Sequence, residues 1–373
     1  MKILLATGIF VPEIGGPATY VLNLAKELTK LGHKIHVVTY SDQFFYDADK
    51  DFGFVVSRVV RRSGFLGKFL NYINYYQKLK EIYTQENFDL IYAFDHFSAG
   101  LPVSFLVQKI KKPFVIRVGG DFLWEKMVNS GKCDLSLAEY YQRSKSLIEI
   151  MYLKIFKHVF KQANKIIFNT AWQKQLYEDI FLLNTDKNLV INNVFTKPES
   201  PVFSDGKEII FAGRFIKLKN IENLIKAFVQ LNTEKKLVII GDGPEKERLE
   251  SLVKNYNNIK IEKQLPALKL KERLANAYAF ILPSVSELSP NSALEALSLG
   301  KFVILTKNNG LPKELQDCFY LVDPLSVIEI KEALEFCLDQ NNYQLYLNKI
   351  RECNFNHTWL QVAREHLDLF SVL

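Results

Sequence analysis

The strongest constraint on this chain is an alternation that runs through it twice. Short apolar runs bounded by Gly, Pro, Asn or Asp are followed by longer segments with apolar residues at helical spacing, the pattern of βαβ units in a parallel sheet. In the first half the spacing predicts strands at 2–7, 34–39, 55–60, 90–93, 114–118, 165–168 and 189–191. Predicted helices fall between them at about 18–31, 68–84, 99–109, 136–161 and 172–179. After the Asn/Pro/Ser-rich stretch 192–201 the strands resume at 208–211, 237–240, 259–262, 279–282, 302–305 and 320–322. That stretch reads as a linker. The expectation is an α/β chain of two doubly wound domains, 1–195 and 196–356, facing across a cleft. Ligands of such sheets bind outside the carboxyl ends of the strands, so chemistry is sought in the loops that follow strands.

Composition narrows the function classes. Apolar residues make up 48% and charged residues 24%, which leaves each domain enough material for a core and rules out a disordered chain. The four cysteines, Cys133, Cys318, Cys337 and Cys353, show no metal-type spacing, are too few for a disulfide scaffold, and read as small buried or surface residues in a reducing compartment. The first residues break at Gly8, short of a signal peptide's apolar core, and no run approaches the roughly 18 apolar residues of a membrane span. A cytoplasmic protein is the expectation.

The net charge of +7 is uneven: residues 1–195 hold 25 Lys/Arg against 18 Asp/Glu, and residues 196–373 hold 23 against 23. A basic half suits an anionic partner or is a solvated face. Two segments are both basic and amphipathic. In 144–161, Leu147, Ile148, Met151, Ile155, Val159 and Phe160 form an apolar stripe, with Lys145, Lys154, Lys157 and Lys161 largely outside it. Around 64–80, Phe65, Leu66, Phe69, Tyr72, Ile73 and Tyr76 accompany Arg61, Arg62, Lys68, Lys78 and Lys80. Such helices either rest on an anionic bilayer, at the inner face of the membrane, or turn the stripe into the core.

Three loops carry candidate chemistry. Gly8 to Ala18 follows the first strand, and Gly15-Gly16 before a helix start offers unpaired amides to an anion. It is not the G-x-G-x-x-G fingerprint, so a hydride-transfer enzyme is not expected. The first strand of the second half ends in Phe211-Ala212-Gly213-Arg214, with Lys219 five residues on; Arg supplies bidentate donors and Lys a point charge, which suits a polyphosphate. The third loop is Glu287-Leu288-Ser289-Pro290-Asn291-Ser292, leading into a helix that carries Glu295. Its amides and hydroxyls suit phosphate, and its two carboxylates suit sugar or ribose hydroxyls.

Gly213-Arg214, Lys219, the Glu-x7-Glu pair Glu287/Glu295 and the Gly15-Gly16 loop, taken in order, resemble glycosyltransferase family 4 and its GT-B fold of two Rossmann-like domains. Gly241-Asp242-Gly243-Pro244 and the Ala293–Lys301 segment extend the resemblance over nearly the whole chain. The resemblance implies a retaining transfer from a nucleotide-diphosphate-sugar to a lipid-linked or polysaccharide acceptor, without cofactor or catalytic metal. It gives the roles by position. Arg214 and Lys219 would clamp the diphosphate, Glu287 would hold sugar hydroxyls, and Glu295 would hold the ribose. Gly15, Gly16, Ser289, Asn291, Ser292 and Asp242 would line the donor; Gly120, Asp121 and His96 would face the acceptor or sugar. Residues 357–373 resemble a terminal helix that crosses back to the first domain.

Two positions depart from the family pattern. The loop Ile116-Arg117-Val118-Gly119-Gly120-Asp121 lacks the usual His, leaving Asp121 or Arg117 to replace it, and Pro290 in the third loop has no N–H to donate. A sugar-nucleotide epimerase of similar fold and a non-catalytic sugar-nucleotide-binding protein are the alternatives. Nucleic acid is not an expected partner, since no recognition element stands out.

Overall fold

A computed structural model describes residues 1–199, 201 and 203–373; Ser200 of the predicted linker lies outside the described residues, as do the side chains of Phe65 and Lys68. The chain forms two units. The first comprises Met1–Leu123, Ser144–Asn193 and Thr358–Leu373, the second Trp124–Arg143 and Val194–His357. The division differs from the sequence-based one, because residues 124–143 cluster with the second unit.

The first unit is built on seven parallel strands: β1 (Lys2–Thr7), β2 (Lys34–Ser41), β3 (Val55–Val60), β4 (Leu90–Ala93), β5 (Phe114–Val118), β6 (Lys165–Phe168) and β7 (Asn188–Val190). Their order is β3-β2-β1-β4-β5-β6-β7. β1, β4 and β5 are apolar along nearly their whole length; β4 and β5 are buried throughout and β1 from Ile3 onward, as strands covered by helices on both faces must be. Between β1 and β4 the strand order reverses direction, which makes the loops after these two strands the natural ligand-binding edge.

The second unit repeats the plan with β8 (Glu208–Ala212), β9 (Lys236–Gly241), β10 (Ile259–Lys263), β11 (Ala279–Leu282), β12 (Phe302–Thr306) and β13 (Tyr320–Val322), all parallel, in the order β10-β9-β8-β11-β12-β13. Its switch point lies between β8 and β11. Arg214 follows β8, and Glu287 follows β11.

Three expectations need correction. The single helix predicted over 136–161 is two, Leu137–Gln142 and Leu147–Gln162. Each begins at a capping box: Ser136 with Glu139, and Ser146 with Glu149, where the Glu149 carboxylate accepts the Ser146 N–H at 2.8 Å. A second N-cap inside an apolar stripe restarts the helix, and Arg143 between them is extended. An additional helix, Phe122–Asn129, was not foreseen. Cys318 and Cys353, 35 residues apart, form a disulfide with Cα atoms at 6.1 Å; only Cys133 and Cys337 are free. Spacing cannot reveal a pair brought together by the fold.

The terminal helix, Trp359–Ser371, belongs to the first unit and starts at a Thr358 cap. Trp359 packs on Tyr20, ring centroids 5.2 Å apart, and the Tyr92 hydroxyl hydrogen bonds His366 Nε2 at 2.9 Å.

Candidate active site

In the second unit the loop after β8 is laced to the end of β9 and the loop that follows it. Gly213 N–H donates to Ile240 O at 3.0 Å, and Phe215 N–H to Asp242 O at 2.8 Å. The approach is so close that a Cβ on Gly241 would lie 2.0 Å from Gly213 O, which leaves room for no other residue there. Asp242 itself is exposed and spends one carboxylate oxygen on the Gly243 N–H at 2.7 Å, as a turn residue does. Arg214 is exposed, and its side chain makes no hydrogen bond or ion pair among the described residues. Lys219 ends a single 3-10 turn, Lys217–Lys219, and its Nζ lies 2.5 Å from Glu287 Oε1.

Glu287 is held by its main chain on both sides. Its N–H donates to Asn308 O at 2.9 Å, and its carbonyl accepts from Gly310 N at 3.0 Å. Val285 N–H donates to Leu218 O at 2.9 Å, tying the end of β11 to the turn that carries Lys219. Of the sequence-predicted site residues, Lys219 and Glu287 are thus brought into direct contact across 68 residues.

The helix Asn291–Ser298 follows with Pro290 at its N-cap and no side-chain cap. Asn291 is exposed, Ser292 half-buried, and the Ser289 hydroxyl oxygen is buried without a hydrogen bond. Glu295 lies one turn into this helix; burial pushes its carboxyl above the usual range, with Lys271 pulling the other way. A carboxylate in that position gains from hydroxyl donors.

Residues 124–143 add a contact that the sequence did not signal. A Cβ on Gly131 would lie 2.6 Å from Lys217 Nζ, so this segment rests against the turn carrying Lys219.

In the first unit the helix Gly16–Lys30 starts at Gly15 with no side-chain cap, leaving its first amides unsatisfied by side chains. The loop leading to it is gripped from β3. Arg58 donates to Val11 O at 2.6 Å and bonds Asp49 twice, at 2.6 and 2.7 Å, with both side chains buried. Arg61 donates to Gly8 O at 3.0 Å and pairs with Glu13 at 2.9 Å. Arg61 was grouped with a basic surface on sequence grounds; it is a loop fastener. Arg58 was missed altogether, because a basic residue inside a strand carries no motif.

Asp121 is fully buried and accepts the Tyr177 hydroxyl at 2.7 Å, and Asn169 Nδ2 donates to Gly119 O at 3.0 Å, so the Gly119–Gly120–Asp121 turn is fixed from below. Arg117 does not stand in for the missing His. Its guanidinium is buried over the Tyr20 ring at 4.1 Å and bonds Ile191 O and Asn193 Oδ1. His96 is 2% exposed and wedged among Phe156, Phe160 and Tyr177, which corrects the expectation of an acceptor contact. Burial holds its ring below the usual histidine range despite Asp121 and Asp95 nearby.

The apolar stripe of the helix Leu147–Gln162 is divided. Phe156, Val159 and Phe160 are buried, but Leu147 is 85% exposed, and Ile148, Ile150 and Met151 also stand in solvent, followed along the helix by the exposed Lys154, Lys157 and Lys161. On the helix Gly64–Gln85, Leu66, Phe69 and Ile73 are exposed. Among the described residues no helix is long and apolar enough to cross a membrane, and no group of three or more His, Cys, Asp or Glu gathers as a metal site.

The fold and this arrangement of loops define a GT-B glycosyltransferase. Residues 14–195 match the glycosyltransferase family 4 model and residues 194–352 the glycosyl transferases group 1 model, and the chain belongs to that family. It is 24% identical to an uncharacterized glycosyltransferase of Methanocaldococcus jannaschii, over 100% of this chain and 99% of that protein. It is 23% identical to the alpha-monoglucosyldiacylglycerol synthase of Streptococcus pneumoniae, over 99% of this chain and 86% of that protein. Among solved structures, Anabaena HepE in complex with UDP-glucose aligns over 100% of both chains with a TM-score of 0.76 and 16% identity.

Proposed function

We propose that this enzyme moves a hexosyl group from a nucleotide-diphosphate-sugar to a lipid-linked or saccharide acceptor, with retention at the anomeric carbon and without a catalytic metal. The observation that carries this reading is the meeting of two loops at the switch point of the second sheet. Arg214 and Lys219 sit after β8, and Glu287 after β11 is in contact with Lys219. A solved structure of like fold holds UDP-glucose, which supports a nucleotide sugar as donor.

The chemistry follows from charge. Leaving-group departure puts negative charge on the diphosphate and positive character on the sugar ring, so positioned cations matter more than a strong base. Arg214 and Lys219 take the diphosphate. Glu287 holds sugar hydroxyls beside the reacting carbon, and the half-buried Glu295 accepts from the ribose. The unpartnered Ser289 hydroxyl and the side chains of Asn291 and Ser292 supply the donors that Pro290 lacks, Asp242 flanks the nucleotide, and the amides at Gly15 and Gly16 serve as an anion site. On the acceptor side, Gly120 offers backbone while Asp121 braces the turn from beneath.

The exposed apolar turns and following lysines of Leu147–Gln162 support a peripheral position on an anionic membrane, where the first unit meets a lipid-linked acceptor. The relative from Streptococcus pneumoniae is named for a glycolipid product, which agrees.

A melting-point panel of UDP, GDP, ADP and their sugar conjugates on wild type and Arg214→Ala tests the donor site, because a ligand of the native state raises the melting point. One nucleotide class should stabilise the wild type and fail with the variant. Free sugar nucleotide epimerised without acceptor would overturn the transferase reading, and binding without turnover would favour the non-catalytic one. The anomer of the product, read by NMR coupling constants, decides retention, and turnover in excess EDTA decides metal independence. Cosedimentation with vesicles containing phosphatidylglycerol, lost in Lys154→Glu/Lys157→Glu/Lys161→Glu, tests the membrane position.

A further inference from the structure

The proposed donor site holds an ion pair that the donor must displace. Lys219 and Glu287 are 20% and 11% exposed at their side chains, and the main chain at each is bound to fixed neighbours: Lys219 N–H to Ile216 O and the adjoining Leu218 O to Val285 N, and Glu287 to both Asn308 and Gly310. The 2.5 Å contact is therefore set by the fold rather than by two floating side chains. An arriving diphosphate and Glu287 compete for the same ammonium. If Lys219 turns to phosphate, Glu287 is left as a largely desolvated carboxylate without its counterion, which is costly unless other donors replace it.

A nucleotide sugar brings those donors in its sugar hydroxyls; a bare nucleoside diphosphate does not. We infer that the Lys219–Glu287 pair makes the site discriminate nucleotide sugar from nucleotide, with Glu287 acting as a penalty on the product as well as a ligand of the substrate. The pair re-forms when the sugar has been transferred, and this helps expel the nucleotide. The inference rests on the proposed donor site and adds a selectivity that a sugar-holding carboxylate alone would not give.

Calorimetric titration of UDP, GDP and ADP and their glucose conjugates into wild type, Glu287→Gln, Lys219→Ala and the double variant tests it. Glutamine keeps the shape and removes the charge, and circular dichroism of each variant checks the fold. Glu287→Gln should bind the bare nucleotide roughly three- to tenfold more tightly than wild type, from the size of a partly exposed ion pair and a charged hydrogen bond. The nucleotide sugar should gain nothing or lose affinity, so the preference for it narrows. In the Lys219→Ala background the gain should vanish. A wild type that binds nucleotide, with a Glu287→Gln variant that binds it equally or more weakly, overturns the pair's role and leaves the donor site standing. A wild type that binds none of these ligands overturns the donor site and the inference together.

Discussion

The loops of the second unit and those of the first reach similar positions by different means. After β8, β9 and β11 the main chains bond one another directly, and the ion pair that joins two candidate groups, Lys219 with Glu287, is partly open to solvent. After β1 the loop is instead held by side chains from elsewhere, above all Arg58 with its buried partner Asp49. A pair exposed enough to be exchanged for a ligand suits binding. A pair sealed from water suits scaffolding, since only its loss of one member is expensive. The same two kinds of charge are thus open to exchange in one unit and sealed into the architecture in the other.

Breaking each pair should separate these roles. Arg58→Met leaves Asp49 buried without its guanidinium, and urea unfolding should show a loss of about 3–5 kcal/mol. Lys219→Met should leave the unfolding midpoint nearly unchanged while turnover collapses; equal destabilisation by both would erase the contrast. Arg214→Ala, also in the second unit, should lower turnover about 10²- to 10³-fold, or roughly 3–4 kcal/mol of transition-state stabilisation, with an unchanged melting point.

A smaller effect tests the sealed interior of the first unit. His96 is held below the usual histidine value of 6.5 by burial, so the unfolded chain takes up that proton first as the medium is acidified. Stability is therefore complete above about pH 6.5 and declines below it. His33 and His36 are also lowered by burial and add to the decline. In His96→Phe the fall in unfolding free energy from urea titrations between pH 6.5 and 5.5 should be shallower, by up to about 1 kcal/mol. The smallest expected change belongs to the surface: replacing Lys154, Lys157 and Lys161 should alter stability by no more than about 0.5 kcal/mol per site, since these side chains are exposed.

Much of this was legible in the sequence. The central parallel strands are short buried apolar runs, and the more exposed strands β3 and β10 keep enough Val and Ile to read the same way, so every strand of both sheets lies within a few residues of its expected ends. The loops of the candidate site stand out in the sequence because their residues are local: Gly213, Arg214 and Lys219 lie on one loop, and Glu287 and Glu295 flank one helix start. What escaped was held together over distance. Arg58 with Asp49 and Val11, Cys318 with Cys353, and Gly131 against Lys217 are contacts that no spacing encodes. The apolar stripe of Leu147–Gln162 was visible, but only the packing decides which of its turns meet Phe181 and Tyr177 through Phe156 and Phe160, and which meet water.

The chain passes between its two units at four places, after Leu123, Arg143, Asn193 and His357. During synthesis from the amino end, the first unit therefore cannot complete itself when its sheet is finished at β7. Tyr20 and Tyr92 wait for Trp359 and His366, which emerge only after the whole second sheet. A ribosome-bound chain stalled before residue 358 should hold a first unit whose Tyr20 still lacks its Trp359 cover, and residues 358–373 act as the latch that closes a unit whose sheet was made before the second one.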